Sequence, residues 1–317
     1  MEKYKLGATG IEVTRLGVGS LTMSPIQRAL SVEQGAEVIL HALARGVNFI
    51  DTAQMYGSYP QVAAALRQWK GELPVVASKS AVKSAAAMEA AVSECLEQTG
   101  LGRVDIFLLH AVKDDEDLTA RRGAIDYLLE ARKKGLIKAI GASSHSARTI
   151  QRLSETPEIE VLHPMYNRDG IGILDASLDE MTAILKAARQ NGKGVYAMKP
   201  LGGGHLRNEA AAALRWVFAS DAVDAAVVGM TSIDEVDMNV GVVMGESISE
   251  DFAEKVAGQP RKLFINSSLC RNCGACIRTC QQQALIPGEN SPSIEHARCI
   301  LCGYCAPVCP MFAIRIV

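Results

Sequence analysis

Val47-Asn48-Phe49-Ile50-Asp51-Thr52-Ala53-Gln54-Met55-Tyr56-Gly57 runs from a short apolar segment into a polar loop. The apolar part has the length and continuity of a strand buried on both faces. Asp51 and Tyr56 then fall where that strand gives way to a loop. A phenol with a pKa of about 10 is a poor acid at neutral pH, and most cleft tyrosines only pack and hydrogen-bond. The pair becomes chemistry only if the chain adds a cation beside the phenol and a polar group to aim a substrate.

Working outward from this segment, strands and helices alternate. Leu6 to Leu16 reads as a hairpin turning at Ala8-Thr9-Gly10. Strands are expected at Leu16–Ser20, Val47–Asp51, Pro74–Lys79, Val104–His110, Leu136–Ala142, Ile159–Met165, Gly194–Met198 and Ala225–Gly229. Helices are expected from Ser31 to about Arg45, Gln61–Trp69, Ser84 to about Gln98, Arg122–Lys134, Ala147–Leu153, Leu178–Gln190, Glu209–Ala219 and Ile233–Met244, with a further piece near Glu250–Val256. Ser31 and Ser84 stand as caps, and Gly46, Gly100 and Gly135 as stops. Eight apolar strands separated by amphipathic helices predict a closed (β/α)8 TIM barrel of about 250 residues. An open doubly wound sheet is the alternative. It would carry a Gly-x-Gly-x-x-Gly turn after its first strand, and none stands there.

Barrel enzymes place their chemistry at the C-terminal ends of the strands. Those ends carry Asp51, Lys79, His110, Ser143-Ser144 and His163. A polar residue at the end of one strand is by itself commonly only a cap. Together with Tyr56 they suit general acid catalysis at a carbonyl. Lys79 is expected to lower the Tyr56 pKa, Asp51 to hold Lys79, and His110 to orient the carbonyl oxygen. The partner event is hydride arrival at the carbonyl carbon, usually from a nicotinamide.

Composition agrees with a globular enzyme. The chain has 317 residues, 48% of them hydrophobic and 21% charged, with a formal charge of −2. That balance, with no Lys/Arg stripe, argues against nucleic-acid binding. No apolar run is long enough for a membrane span, and the N-terminus lacks the apolar core of a signal peptide. The expected location is the cytoplasm. From Arg261 onward six basic residues face two acidic ones, a local charge of +4, so the first 260 residues carry −6.

The cysteines are equally uneven. Cys95 lies in a helical pattern and reads as a small buried residue. The other eight form Cys270-x2-Cys273-x2-Cys276-x3-Cys280 and Cys299-x2-Cys302-x2-Cys305-x3-Cys309-Pro310. This is the bacterial two-cluster ferredoxin spacing, written twice, in which each fourth cysteine serves the other cluster. One [4Fe-4S] cluster then takes Cys270, Cys273, Cys276 and Cys309, and the other Cys299, Cys302, Cys305 and Cys280. Zinc needs paired Cys-x2-Cys units, and disulfides need an oxidising compartment. A barrel over 1–258 and a small bacterial-ferredoxin-like α+β domain over 259–317 are therefore expected, linked by Gly258-Gln259-Pro260-Arg261.

Over roughly residues 3 to 245 the chain resembles the aldo-keto reductase superfamily. The matching motifs are Lys5-Leu6-Gly7, Thr9-Gly10, Leu16-Gly17, Gly46 to Ala53 with Tyr56-Gly57, Ser78-Lys79 and Leu108-Leu109-His110. Further on come Lys134-Gly135-Leu136-Ile137, Gly141-Ala142-Ser143-Ser144, Tyr166-Asn167 and Gly229-Met230-Thr231-Ser232. The resemblance implies that Asp51, Tyr56, Lys79 and His110 form the family's catalytic tetrad, with Tyr56 as the acid. It implies cofactor contacts at Gly19 and Ser20, at Ser143, Ser144 and His163 where the family has Ser-Asn and Gln, and at Met198 in the place of a stacking aromatic. Lys199, Leu201, Gly202 and Gly203 would serve a pyrophosphate, and Met230, Thr231, Ser232, Glu235 and Asn239 the adenosine end. Glu235 would repel a 2′-phosphate, which favours NAD(H) over NADP(H). Gln54, Met55, Tyr59, Met23 and His205 are expected as loop residues of the substrate pocket. The cysteine tail with Met198 to Gly204 resembles the subgroup fused to a ferredoxin domain.

Three functions stay open on the sequence. The first is an oxidoreductase acting on a small-molecule carbonyl or its alcohol. The second is an electron-transfer protein exchanging electrons with a redox partner through the clusters, for which the basic tail would attract an acidic ferredoxin- or flavodoxin-type protein. In the third the clusters are structural or sense redox state.

Overall fold

The computed structural model describes residues 1–258 and 261–316. Gln259 and Pro260, in the middle of the expected linker, lie outside the described residues. Eight parallel strands close into a barrel: β3 (Leu16–Gly19), β4 (Phe49–Asp51), β5 (Val75–Ser80), β6 (Val104–Leu109), β7 (Ile137–Ser144), β8 (Val161–Pro164), β9 (Gly194–Ala197) and β10 (Ala225–Gly229). β10 pairs back onto β3, with Val228 opposite Val18, so the sheet has no free edge. The expected strand number and closure both hold.

The preceding hairpin, β1 (Lys3–Lys5) with β2 (Glu12–Thr14), closes the N-terminal end of the barrel. Its Leu6, Ile11 and Val13 pack with Phe49, Ala77, Ile106, Leu108, Val161 and Tyr196 inside the barrel. Gly7 has φ +55°, and a Cβ there would stand 2.3 Å from the Gly194 backbone nitrogen. Only glycine lets the hairpin sit this close to β9.

The outer ring is α1 (Val32–Ala44), α2 (Tyr59–Gln68), α3 (Ala85–Thr99), α4 (Asp115–Ala120), α5 (Arg122–Lys133), α6 (Ala147–Ser154), α7 (Leu178–Gln190), α8 (Ala210–Ala219) and α9 (Ile233–Val243). Ser31 and Gln34 form a capping box on α1, worth about 1 kcal/mol. The short α4 is not marked by any apolar period. It is set by Asp114, whose carboxylate accepts the Asp117 N–H at 2.8 Å. Strand β7 runs two residues past the expected end, because Ser143 and Ser144 pair in register with His163 and Pro164. Cys95 is fully buried in the core, as expected, and burial pushes its thiol up to about 11.

After α10 (Glu250–Ala257) the chain forms a small module of β11 (Leu263–Ile265), α11 (Ala275–Thr279), β12 (Leu285–Ile286), β13 (Ser293–Ile294) and β14 (Ile314–Ile316). β11 pairs with β14 and β12 with β13, so the first and last segments close on each other. The two cysteine runs fold alike. Asn272 and Leu301, then Gln283 and Phe312, occupy the left-handed region at matching places.

Candidate functional site

Asp51 ends β4, Lys79 lies near the end of β5 and His110 follows β6 directly. Tyr56 sits on a 3-10 turn, Gln54–Tyr56, just beyond β4. The four side chains converge on one cavity of about 250 Å³ at the C-terminal mouth of the barrel.

Lys79 Nζ donates to Asp51 Oδ1 at 2.5 Å and to the Thr52 carbonyl at 2.8 Å. The second carboxylate oxygen accepts the Tyr196 hydroxyl at 2.9 Å. Asp51 and Lys79 are almost completely buried. A buried charge is tolerated only when paired and hydrogen-bonded, and both conditions are met here. The ammonium lies 4.9 Å from the centroid of the Tyr56 ring, a cation–π geometry. His110 meets Tyr56 edge-on, with ring centroids 5.6 Å apart.

The protonation pattern departs from expectation at one point. Burial holds the Tyr56 phenol well above its ordinary value, and Tyr304 and Asp51 push the same way. The expected lowering is therefore overturned: desolvation of the phenolate is the largest cause, with Tyr304 and then Asp51 adding to it. Burial, followed by the Lys79 charge, pushes His110 well below the usual histidine range. His163 is lowered to about 4 and His145 to about 3, burial being the main cause in both. All three imidazoles are neutral at pH 7 and offer one donor and one acceptor each.

The expected cofactor residues divide into two groups. Gly19, Ser143, His163, Met198, Lys199, Leu201, Gly203, Glu235 and Asn239 line the same cavity as the tetrad. Among these, the Asn239 carbonyl oxygen is buried and has no hydrogen-bond partner among the described residues. His163 Nδ1 donates to the Tyr196 carbonyl at 2.8 Å, and its ring stacks on Tyr196 at 4.1 Å.

Ser20, Ser144, Gly202, Met230, Thr231 and Ser232 do not line the cavity. The Ser20 hydroxyl bonds Ser58 at 2.8 Å, and Ser144 donates to the Val112 carbonyl at 2.7 Å. Ser232 caps α9, and Met230 is core. Glu235 is not a bare carboxylate. It accepts from the N–H and hydroxyl of Thr231, and it faces Arg261 at 3.8 Å. Arg28 stands beside Arg261 and lines the cavity with it.

The glycine loop does something the sequence did not suggest. Gly203 has φ +72°, and a Cβ there would lie 2.1 Å from the Ile300 carbonyl oxygen. Its missing side chain lets the cysteine module approach the barrel. Lys199 likewise faces Cys302 and Cys299. Of the five expected pocket residues only His205 lines the cavity. Met23 is core, and Tyr59 is buried on α2 with its hydroxyl on Ser78 at 2.7 Å. Gln54 is held by Ser80 and Glu94, and Met55 is exposed. Met23, Tyr59 and Gln54, which read as loop residues, are fixed by tertiary packing.

The cysteine module docks over the barrel mouth. Gln27 Nε2 donates to the Leu301 carbonyl at 2.9 Å, His205 Nε2 to the Cys299 carbonyl at 2.8 Å and Gln282 Nε2 to the Gly172 carbonyl at 3.1 Å. Tyr304 reaches into the cavity, where its hydroxyl is hydrogen-bonded to His110 Nε2 at 2.9 Å. Tyr304, Tyr196, His145 and Arg28 are site residues that sequence reasoning missed. Tyr304 lies between two cysteines of the array, but no local pattern places it against a histidine 194 residues earlier.

The eight tail cysteines are free. Cys280, Cys299, Cys302 and Cys305 line one small cavity, and Cys276 neighbours Cys270 and Cys309. Backbone N–H groups of Asn272, Ala284 and Ala313 each point at a cysteine sulfur, Cys270, Cys280 and Cys309, at 3.3 Å. Such bonds stabilise thiolates that carry iron. Among the described residues no three His, Cys, Asp or Glu converge closely enough to hold a single metal ion. Four cysteines around a common cavity are the residue type that a cluster needs.

The sequence profile of the aldo/keto reductase family matches residues 15–213, and that of the 4Fe-4S dicluster domain matches residues 262–310. The chain belongs to the aldo/keto reductase family. The soybean (Glycine max) protein named "Probable aldo-keto reductase 1" is 24% identical over 306 residues, 80% of this chain and 88% of its own. An aldo-keto reductase of Bacillus halodurans, in its holo form, superimposes with a TM-score of 0.65 at 20% identity, covering 81% of this chain and 96% of its own. A Pseudomonas aeruginosa chain assigned to the aldo-keto reductases gives a TM-score of 0.63 at 24% identity, covering 77% and 94%. At these identities the structural likeness is one of fold. The protein is thus an aldo/keto reductase-type oxidoreductase barrel carrying a two-cluster iron–sulfur domain. Among its described residues no helix is long and apolar enough to cross a membrane.

Proposed function

We propose that the protein reduces a small-molecule carbonyl, or oxidises the corresponding alcohol, with a nicotinamide cofactor. The observation that carries this reading is the buried Asp51–Lys79 pair beneath Tyr56, with His110 edge-on to the phenol, around a single cavity. Asp51 keeps Lys79 charged and in place. The raised pKa keeps Tyr56 protonated across the physiological range, so its proton remains available until negative charge develops on the substrate oxygen. The Lys79 charge then offsets the phenolate that is left. Neutral His110 has the Nε2 position to orient the carbonyl. Burial of all four groups excludes water and strengthens each interaction.

The residues present fit a dinucleotide. Asn239 has a free buried acceptor for an amino group, and Arg28 and Arg261 are placed for phosphate. When bound, the nicotinamide supplies the hydride accepted by the carbonyl carbon. The preference for NAD(H) rested on an unpaired Glu235. Thr231 and Arg261 occupy that carboxylate, so the repulsion of a 2′-phosphate is weakened and both dinucleotides belong in the test.

The division into a barrel over 1–258 and an iron–sulfur domain over 259–317 is part of the same proposal. So are the cysteine sets and a reducing, cytoplasmic setting in which thiols stay free. When bound, the clusters supply one-electron transfer. Cys273 is exposed, with exposed Arg271 and Arg278 beside it, while Cys299 and Cys305 are buried beside the barrel. This polarity supports an acidic redox partner docking at the first cluster, with the second cluster nearer the cavity.

The test is anaerobic turnover of 4-nitrobenzaldehyde with NADH and with NADPH. Tyr56→Phe should lower kcat by about 10²- to 10⁴-fold without weakening dinucleotide binding. Wild-type turnover in that variant, or binding of neither dinucleotide, would sink the reading. Reduction of the clusters by a mixed-in reduced ferredoxin, lost on raising the salt, is the separate test of the redox partner.

A further inference from the structure

We propose that Tyr304 gates the site: its phenolic oxygen occupies the place where Tyr56 and His110 receive the oxygen of a carbonyl substrate. The inference rests on the carbonyl-reduction reading of the tetrad. Neutral His110 has two ring nitrogens. Nδ1 is buried with no partner among the described residues, and Nε2 meets the Tyr304 hydroxyl at 2.9 Å. The same hydroxyl faces the Tyr56 phenol. A single oxygen therefore bonds one of the two groups that would polarise a carbonyl and faces the other. An uncharged phenol oxygen offers acceptor lone pairs as a carbonyl oxygen does, so the two compete for one subsite.

The gate is tied to the iron–sulfur domain. Tyr304 stands in Cys302-Gly303-Tyr304-Cys305, between two of the four cysteines around the second small cavity. Gln27 holds the preceding turn at Leu301 and His205 holds it at Cys299. Ile300 is seated on Gly203. The turn cannot lift without disturbing Cys302 and Cys305. The phenol must yield by rotating its side chain, or the turn must loosen at the cysteines. Substrate affinity and ligation of the second cluster are thereby linked through one side chain.

The test uses benzamide, a carbonyl compound that is not reduced, titrated calorimetrically into the anaerobic holoprotein. Tyr304→Phe keeps the ring against His110 and removes the competing oxygen. Benzamide should bind it about fivefold tighter than the wild type, the worth of one uncharged hydrogen bond. With 4-nitrobenzaldehyde the KM should fall by the same factor while kcat stays within about twofold, the signature of altered binding alone. Tyr304→Leu should behave likewise.

In ¹⁵N-histidine spectra, benzamide should shift the His110 Nε2 resonance in the wild type, and Tyr304→Phe should shift it without benzamide. Iron content and cluster absorbance identify any variant that has lost its clusters. Unchanged affinity in both variants overturns the proposal. So does weaker binding, which would make the phenol a donor to substrate, and so does failure of benzamide to bind any of the three proteins. Benzamide affinity is read without turnover. A protein that binds it as expected but reduces no aldehyde refutes the carbonyl reductase and leaves the gate standing.

Discussion

Replacing Asp51 by Asn removes one charge and almost no volume from the centre of the site. The carboxylate is 3% exposed and Lys79 is 1% exposed. The amide oxygen of Asn remains an acceptor for the Tyr196 hydroxyl, which now bonds Asp51 at 2.9 Å. The buried ammonium, however, loses its counter-charge at 2.5 Å. Orphaning one member of a buried pair costs about 3–5 kcal/mol. Lys79 keeps the Thr52 carbonyl at 2.8 Å, so the lower end, about 3 kcal/mol, is expected at pH 7.

The deficit also has a pH signature. Burial already lowers the Lys79 pKa, and Asp51 opposes that. Without Asp51 the folded pKa falls further below the unfolded value of about 10.4. In that window the unfolded chain binds the proton more readily, so stability rises with pH. The cost of Asp51→Asn should shrink toward about 1 kcal/mol as the pH approaches 10. Asp51→Asn combined with Lys79→Met leaves no orphan charge and should cost less than Asp51→Asn alone. The assay is urea unfolding followed by far-UV circular dichroism, anaerobically, at pH 7 and pH 9.5. A cost below about 1 kcal/mol at pH 7, a cost that ignores pH, or a double variant as unstable as the sum of the singles refutes the buried-pair argument.

Acid should unfold the site through its histidines. Their folded pKa values lie below the unfolded 6.5, so stability present above pH 6.5 is lost as the pH falls toward 4, the value for His163, by about 3 kcal/mol for that residue alone. Equal urea midpoints at pH 7 and pH 4.5 would contradict this, and His163→Gln should flatten the slope. Gly203→Ala puts a methyl group 2.1 Å from the Ile300 carbonyl oxygen. It should raise hydrogen exchange at residues 299–305 while leaving β4 to β6 protected, and uniform protection would show that the close approach is dispensable. Cys309→Ser should give the EPR spectrum of Cys273→Ser, and Cys280→Ser that of Cys302→Ser. The opposite pairing would refute crossed ligation.

Much of the barrel was legible because its signals are local. Strand number, cap residues such as Ser31 and Ser84, and stops such as Gly100 depend on neighbours a few positions away. The convergence of Asp51, Lys79 and His110 followed from a rule about strand ends rather than from their spacing in sequence. Boundaries slipped where pairing decided them, as at Ser143 and Ser144, whose strand is prolonged by register with His163 and Pro164. The ionisation of Tyr56 was misjudged because a sequence names the charges near a phenol but not how little water reaches it. Tyr59 and Met23 were misplaced for the same reason, since burial is a property of the packed molecule.

By itself the sequence determined the eight-unit alternation, the residue types at the strand ends and the twice-written cysteine array. These depend on side-chain period and spacing, which survive without three-dimensional context. Only the tertiary structure decided that the iron–sulfur domain sits on the barrel mouth, that Gly203 is small for Ile300, and that Tyr304 meets His110. Those contacts join residues about a hundred positions apart or more, and their energy comes from shape and desolvation created when two folded surfaces close on each other.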